Sequence, residues 1–197
     1  ATRFAIRWRI LKIIARACRK ILGFDMKENI VLIGFMGVGK TSLGRLLASK
    51  LGRPFVDLDE KIEHDTGLAI PEIFAIHGEK YFRELEKTAV REISARRNIV
   101  IATGGGTVKD AENLSLLKNS GFVVCLTTEP EEIFRRTERK GERPVLDASS
   151  EDRLETIRKL LAERQPYYSQ ADFQIDTTDW SPLQIVSEIC DRFKLQR

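Results

Sequence analysis

The sequence contains an eight-residue segment, residues 34–41, that matches the phosphate-binding pattern GxxxxGK[ST]. An apolar run typical of a buried strand, residues 30–33, precedes it, and residues 42–51 follow with apolar positions at helical spacing. In this context the glycines let backbone N–H groups face a polyphosphate, and the helix N-terminus adds its dipole. Lys40 can reach the β- and γ-phosphates, and the Thr41 hydroxyl can ligate Mg²⁺. We therefore predict a nucleotide site formed by Gly37, Val38, Gly39, Lys40, Thr41 and Ser42.

Composition limits the class of protein only broadly. The 197 residues, 42% of them hydrophobic, suffice for one domain with a substantial core. No apolar run approaches the roughly 20 residues that cross a bilayer, so we expect no transmembrane segment. The three cysteines, Cys18, Cys125 and Cys190, are odd in number and scattered, which favours reduced thiols in a cytoplasmic protein. Two histidines and no CxxC pair argue against structural zinc.

The net charge of +4 is concentrated at the N-terminus of the chain. Residues 1–25 contain seven of the 33 basic residues and one of the 29 acidic residues. The rest of the chain carries 26 basic and 28 acidic residues and is therefore close to neutral. The overall charge does not predict binding to nucleic acid, and we expect none.

In the N-terminal extension, residues 1–25, apolar and basic residues interleave, so much of 3–22 would form a basic amphipathic helix. Three interpretations remain open. The segment contacts an anionic membrane surface or a partner, it is a transit-like leader, or it is an accessory extension outside the catalytic domain. Met26 immediately precedes the first predicted strand. A self-sufficient domain, residues 26–197, can therefore begin there.

Strand-like and helix-like segments alternate along the chain. Gly67 and Pro71 interrupt the helical pattern, and residues 138–150 are charged and aperiodic, as a mobile lid would be. This alternation predicts a parallel sheet covered by helices, with ligands at the carboxyl ends of the strands. The predicted strands are 30–33, 55–56, 99–102, 122–126 and 173–175, and the later predicted helices are 79–95, 110–118, 129–139, 151–168 and 182–193.

Further candidate residues lie outside the phosphate loop. Of Asp57 and Asp59, one carboxylate can hold Mg²⁺ through water and the other can accept the proton of an attacking hydroxyl. Alternatively, Asp59 only caps a helix. Arg83 can grip a carboxylate or phosphate while Glu86 orients it, or the two form a solvated ion pair. The glycines at 104–106 leave backbone N–H groups accessible to a ligand, or they form only a tight turn.

Five motifs beyond the phosphate loop stand in a characteristic order. They are DLD at 57–59, FRELE at 82–86, GGG at 104–106, RPVL at 143–146, and Arg164 followed by PYY at 166–168. In this order and approximate spacing the chain resembles the shikimate kinase family, over residues from about 29 to 195. A phosphate loop alone is common to thousands of proteins, whereas the ordered set is typical of this one family.

The resemblance implies an α/β P-loop kinase, similar to nucleoside monophosphate kinases, with a five-stranded parallel sheet flanked by helices and a mobile lid. It implies transfer of the γ-phosphate of ATP to the 3-hydroxyl of shikimate, a step toward chorismate and the aromatic amino acids. On the nucleotide side, Lys40 would bind the transferred phosphate, and Arg143 of the lid would close over the phosphates. Thr41 would bind Mg²⁺ directly and Asp57 would bind it through water.

The resemblance also assigns the adenine and acceptor sides. Arg136 is similar to the arginine that stacks on adenine, although Arg135 and Arg139 remain alternatives. Asp59 would hydrogen-bond the attacking hydroxyl and serve as the base. The other residues implied in shikimate binding are the carboxylate-binding Arg83 and Arg164, the backbone of Gly104, Gly105 and Gly106, and the apolar walls Phe74 and Phe82.

Alternative functions remain to be separated from this expectation. A related kinase of the same group would act on gluconate or a nucleoside monophosphate. A catalytically silent module would bind the same ligands, although Lys40, Asp59, Arg83 and Arg143 are all present. In a third alternative the basic extension, as a membrane or partner adaptor, carries the main function. For the kinase we expect a cytoplasmic monomer that binds shikimate and ATP and requires Mg²⁺.

Overall fold

The structure, a computed structural model, describes residues 28–138 and 150–196. These residues form five strands, which are β1 Asn29–Ile33, β2 Phe55–Asp57, β3 Val100–Ala102, β4 Gly121–Thr127 and β5 Phe173–Asp176. The strands pair in parallel in one sheet, in the order β2-β3-β1-β4-β5. The predicted fold class, a five-stranded parallel sheet flanked by helices, is confirmed.

Helices connect the strands, as parallel pairing requires. In the described ranges the helices are α1 Lys40–Leu51, α2 Leu58–Thr66, α3 Ile70–Ser94, α4 Ala111–Ser120, α5 Pro130–Glu138, α6 Ser150–Tyr168 and α7 Pro182–Leu195. A 3₁₀ turn, Thr107–Lys109, follows β3. Helix α1 packs against α7, α2 against α3, and α3 against α4.

The core lies along the three inner strands, β3, β1 and β4. Every residue of β1 and β3 is buried, and in β4 only the last residue is partly exposed. These inner strands consist mainly of apolar residues because helices cover the sheet on both faces. The edge strands β2 and β5 are partly exposed. Within the described part of the chain, no helix combines the length and the apolar character needed to cross a membrane.

Helix α3 differs most from the prediction. It begins at Ile70 rather than near residue 79, because Pro71 lies in its first turn, where the missing N–H has no helical partner to lose. Gly78 is the one position inside it whose backbone is not helical. Gly67 and Pro71, which interrupt the helical pattern of the sequence, therefore mark the boundary between α2 and α3.

Two predicted features fall outside the described residues. One is the N-terminal extension, residues 1–25, with its possible amphipathic helix at 3–22. The other is most of the predicted lid, which includes Arg139 and Arg143. The predictions for these segments stay predictions.

Candidate active site

The phosphate loop joins the carboxyl end of β1 to the first turn of α1. Gly39, immediately before the helix, has φ 98°, a left-handed conformation that favours glycine. The buried Lys40 ammonium donates to the carbonyl oxygens of Gly34 at 2.9 Å and Phe35 at 2.8 Å. These bonds hold a positive charge inside the loop, where phosphate would bind.

Thr41 and Asp57 bring two oxygen atoms together beside this loop. Thr41 Oγ1 donates to Asp57 Oδ2 at 2.7 Å. The other oxygen, Asp57 Oδ1, accepts from the backbone N–H groups of Asp59 at 3.0 Å and Glu60 at 3.5 Å. Asp57, and not Asp59, is therefore the N-cap of α2.

A small cavity of about 80 Å³ marks the phosphate site. Most of the predicted nucleotide residues line it, but Val38 does not, because its side chain is 1% exposed and belongs to the hydrophobic core. Only the backbone of Val38 remains available to a ligand. The residues that line the cavity are Met36, Gly37, Gly39, Lys40, Thr41, Ser42, Asp57, Asp59, Thr103 and Gly105.

A larger cavity of about 400 Å³ adjoins the phosphate site, and Met36, Asp59 and Gly105 line both. Its volume suits a small ligand. All the residues predicted for the acceptor lie on it, namely Asp59, Phe74, Phe82, Arg83, Gly104, Gly105, Gly106 and Arg164. The other lining residues are Met36, Glu63, Ile70, Pro71 and Glu86, of which only Glu86 had a predicted role, as the residue that orients Arg83.

The glycine triplet forms one wall of this acceptor pocket, and each of its residues lies against a different polar side chain. A Cβ atom on Gly104 would lie 2.8 Å from Asp59 Oδ1, and one on Gly105 would lie 3.2 Å from Arg164 Nη1. A Cβ atom on Gly106 would lie 3.3 Å from Arg83 Nη1. The absence of side chains here lets the carboxylate and both guanidinium groups approach the same stretch of backbone.

Arg83 is held in place by two carboxylates. Its Nη1 atom donates to Glu86 Oε2 at 2.8 Å, and its Nη2 atom donates to Glu79 Oε1 at 3.0 Å. Glu86 is 2% exposed and also accepts a bond from Thr107 Oγ1 at 2.6 Å. Burial alone would lower the pKa of Arg83, but the bonds to Glu86 and Glu79 raise it above its ordinary value. The pair is therefore partly buried rather than a solvated surface pair.

Arg164 enters the pocket from α6, on the other side of the glycine triplet. Its Nη1 atom donates to the Gly105 carbonyl at 3.1 Å, and its guanidinium carbon lies 5.0 Å from the centre of the Phe35 ring. The residue is 8% exposed, and its Nε atom is buried with no hydrogen-bond partner among residues 28–138 and 150–196. A buried donor of this kind favours an acceptor such as a ligand carboxylate.

Tyr168, one turn beyond Arg164, also belongs to the site, although its sequence position alone predicted no role for it. Its hydroxyl donates to the Gly105 carbonyl at 2.8 Å, and burial raises its pKa to about 12. It was visible only as part of the motif at 166–168, and the spacing of four residues from Arg164 was the available signal. Two side chains of α6 therefore fix one carbonyl of the glycine triplet.

Phe74 and Phe82 form an apolar wall of the acceptor pocket. Their ring centres are 4.8 Å apart, with an interplanar angle of 36°. Such a wall suits a ligand that carries a hydrocarbon ring.

Two of the arginines predicted as candidates for adenine stacking, Arg135 and Arg136, lie on α5 and line neither cavity. Both bond to Glu132. The bond from Arg135, with that from Arg136, lowers the pKa of Glu132 to about 2 although partial burial opposes it. Because Glu132 holds both arginines, the geometry does not choose between them.

Fold and site together define a P-loop kinase, with a phosphate loop after the first strand, an adjacent oxygen pair suited to Mg²⁺, and a separate acceptor pocket. The family model described as shikimate kinase matches residues 36–194. The chain belongs to the shikimate kinase family, and the predicted family is confirmed. It is accordingly assigned to the ATP-dependent kinases.

Individual relatives agree with this assignment. The shikimate kinase of Thermodesulfovibrio yellowstonii is 44% identical over 167 residues, which cover 85% of this chain and 95% of that protein. The shikimate kinase of Geobacter metallireducens is 47% identical over 163 residues, which cover 82% and 89% of the two chains.

Among the similar solved structures, members of the family differ from proteins that share only its fold. The shikimate kinase of Acinetobacter baumannii in complex with shikimate is 38% identical, with a TM-score of 0.82 over 89% of this chain and 97% of that one. A gluconokinase of Sinorhizobium meliloti is 16% identical, with a TM-score of 0.54 over 86% and 93%. The gluconokinase shares the fold alone.

Proposed function

We propose that this protein transfers the γ-phosphate of ATP to the 3-hydroxyl of shikimate, producing shikimate 3-phosphate and ADP. The observation that carries the proposal is the acceptor pocket, in which Arg83 and Arg164 face one glycine triplet and Asp59 borders the phosphate site. Shikimate is a small polyol with one carboxylate, so two arginines and a hydroxyl-binding acid complement it.

On the acceptor side, Arg83 and Arg164 bind the shikimate carboxylate. Support comes from the Nε atom of Arg164, which is buried with no hydrogen-bond partner among the described residues, and from the two bonds by which Glu86 and Glu79 hold Arg83 in place. The backbone of Gly104, Gly105 and Gly106 contacts the ring hydroxyls, and the Phe74 and Phe82 rings pack against the ring.

Asp59 accepts a hydrogen bond from the attacking hydroxyl and takes its proton as phosphoryl transfer proceeds. The support is its position, since its side chain lines both the acceptor pocket and the phosphate cavity. Asp57 already serves as the helix cap, so Asp59 has no capping task to perform.

On the nucleotide side, Lys40 exchanges its two carbonyl partners for the transferred phosphate, and the backbone of residues 37–42 surrounds the polyphosphate. Thr41 Oγ1 and Asp57 Oδ2, 2.7 Å apart, are the hard oxygen donors that Mg²⁺ prefers, with Asp57 acting through water. When bound, Mg²⁺ neutralises charge on the phosphates. Arg143 closes over the phosphates, and Arg136 stacks on adenine.

The assay that tests this proposal measures ADP release by coupled enzymes, with shikimate, gluconate and nucleoside monophosphates supplied side by side. We expect Mg²⁺-dependent ADP release with shikimate, and phosphorus NMR of the product identifies the 3-phosphate. Lys40→Met is the control that should abolish turnover. Phosphorylation of gluconate but not of shikimate contradicts the proposal. Shikimate binding without ADP release favours a silent binding module instead.

We further propose a cytoplasmic monomer whose catalytic domain spans residues 26–197. A chain shortened to begin at Met26 should retain full activity and sediment as a monomer. A soluble but inactive shortened chain contradicts this domain boundary. Co-sedimentation with anionic liposomes, with and without residues 1–25, tests whether the extension contacts membranes.

A further inference from the structure

Helix α3 contains a local break at Gly78. The residue has φ 78° and ψ 174°, whereas the rest of the helix, 70–94, is helical. This combination lies in a backbone region that glycine alone adopts readily. Apart from Gly78 itself, its two chain neighbours and the adjoining backbone of the same helix, no heavy atom of the described residues lies within 4 Å of the position that a Cβ atom would occupy there. The requirement for glycine is therefore one of backbone conformation and not of space.

Without the break, α3 could not present its pocket residues to one cavity. An α-helix turns about 100° and rises about 1.5 Å per residue. Over the nine positions from Phe74 to Arg83, a continuous helix would turn through about two and a half circles and direct the two side chains to opposite faces. Phe74 and Phe82 would be separated by about 12 Å along the axis.

The structure shows a different arrangement. The ring centres of Phe74 and Phe82 are 4.8 Å apart, and Phe74, Phe82 and Arg83 all line the acceptor pocket. The change of direction at Gly78 accounts for the contact between the two phenylalanine rings.

Each half of α3 contributes a different part of the acceptor pocket. The half before Gly78 supplies apolar lining through Ile70, Pro71 and Phe74. The half after it supplies Arg83 together with Glu86, the buried carboxylate that orients it. The distance between the Phe74 ring and the Arg83 guanidinium therefore depends on the backbone angles φ and ψ of Gly78.

We propose that Gly78 is a positioning residue for the acceptor, because its non-helical backbone sets Phe74 and Arg83 at the separation that a ring bearing a carboxylate requires. The inference rests on the proposed function, since shikimate is the ligand that would occupy the pocket. Gly78 itself does not line the cavity, and its effect is exerted through the two halves of the helix.

The test replaces Gly78 by alanine in the full-length protein and compares it with Gly52→Ala. Gly52 also has a positive φ, 62°, and open space around its Cβ position, but it ends α1 and does not line either cavity. For Gly78→Ala we expect the KM for shikimate to rise at least tenfold while the KM for ATP changes less than twofold. For Gly52→Ala we expect both KM values to stay within twofold of those of the unaltered protein.

Each other outcome overturns the inference. A shikimate KM within twofold of the unaltered value means that the break does not position the acceptor. Equal increases in both KM values indicate a general disturbance of the enzyme. If Gly78→Ala does not fold even in sucrose, where Gly52→Ala does, the break is required for folding and not for the pocket. If the unaltered protein releases no ADP with shikimate, the proposed function fails, and the inference falls with it.

Discussion

Glu86 Oε2 accepts a hydrogen bond from Arg83 Nη1 at 2.8 Å, and this carboxylate is 2% exposed. Its second oxygen accepts from Thr107 Oγ1 at 2.6 Å, in the 3₁₀ turn that begins directly after the glycine triplet. One buried carboxylate thus links α3 to the loop that follows β3. Two walls of the acceptor pocket are joined through it.

Glu86→Gln should lower the free energy of unfolding by about 2 kcal/mol, because one amide cannot accept from both donors and its NH₂ group faces one of them. We expect the shikimate KM to rise and the ATP KM to remain unchanged. Urea denaturation and steady-state kinetics measure the two effects. Glu79→Gln is the matched control, since Glu79 also bonds Arg83 but is largely exposed, and should change stability by less than about 0.5 kcal/mol. Equal effects from the two substitutions would contradict the role of burial.

The three inner strands were predictable because a strand that is buried on both faces is a run of apolar residues. The predicted bounds of all five strands lie within one residue of the observed ends, although the edge strands β2 and β5 are partly exposed. The start of α3 was not predictable from its breakers. Pro71 is compatible with a first helical turn, and Gly78 changes the direction of the helix without ending it. Whether a glycine ends or bends a helix depends on tertiary packing.

The residues of the candidate site that belong to sequence motifs were predictable. The contacts that depend on how deeply a side chain is buried were less predictable. The spacing of Arg83 and Glu86 fits an exposed ion pair as well as an orienting one, and only the packing around Glu86 distinguishes them. The bond from Tyr168 to Gly105 joins residues 63 positions apart. No local pattern encodes a contact of that separation.

Asp59→Asn should reduce kcat by about 10²- to 10⁴-fold, because the amide cannot accept the proton of the attacking hydroxyl. Nucleotide affinity should be retained, since the phosphate loop and Lys40 are unchanged. Single-turnover kinetics and nucleotide titration by calorimetry measure the two quantities. Near-normal turnover would exclude Asp59 as the base.

Asp57→Asn should distinguish the capping of α2 by this residue from its proposed role in binding Mg²⁺. Asparagine caps helices about as well as aspartate, so the free energy of unfolding should change by less than about 0.5 kcal/mol. The loss of charge should raise the Mg²⁺ concentration needed for half-maximal activity at least tenfold. Asp57→Ala, which also removes the cap, should cost about 1 kcal/mol more in stability. An unchanged Mg²⁺ requirement in Asp57→Asn would rule out this metal role.

Tyr168→Phe removes only the hydroxyl that donates to the Gly105 carbonyl. Arg164 still donates to the same oxygen, so we expect a loss of about 1 kcal/mol in unfolding free energy and not a collapse of the site. The KM for shikimate should rise a few-fold, with no change in the KM for ATP. Because the pKa of Tyr168 is raised to about 12, the effect should be the same at pH 6 and pH 9. A substitution effect that varies between these pH values would show that the hydroxyl titrates within the assay range.

The acid stability of α5 should depend on Glu132. The bond from Arg135, with that from Arg136, lowers the pKa of Glu132 from 4.5 to about 2 in the folded protein. The folded state therefore binds this proton less readily than the unfolded state. The resulting stabilisation is complete above about pH 4.5 and is lost as the pH falls toward 2. The pair lies near the surface, so screening limits the contribution to about 1 kcal/mol.

Urea denaturation at pH 7 and pH 3 measures the difference in unfolding free energy between the unaltered protein and Glu132→Gln. We expect this difference to be smaller at pH 3, and 1 M NaCl should reduce it at pH 7. A difference that is the same at both pH values would show that the Glu132 carboxylate adds no pH-dependent stability.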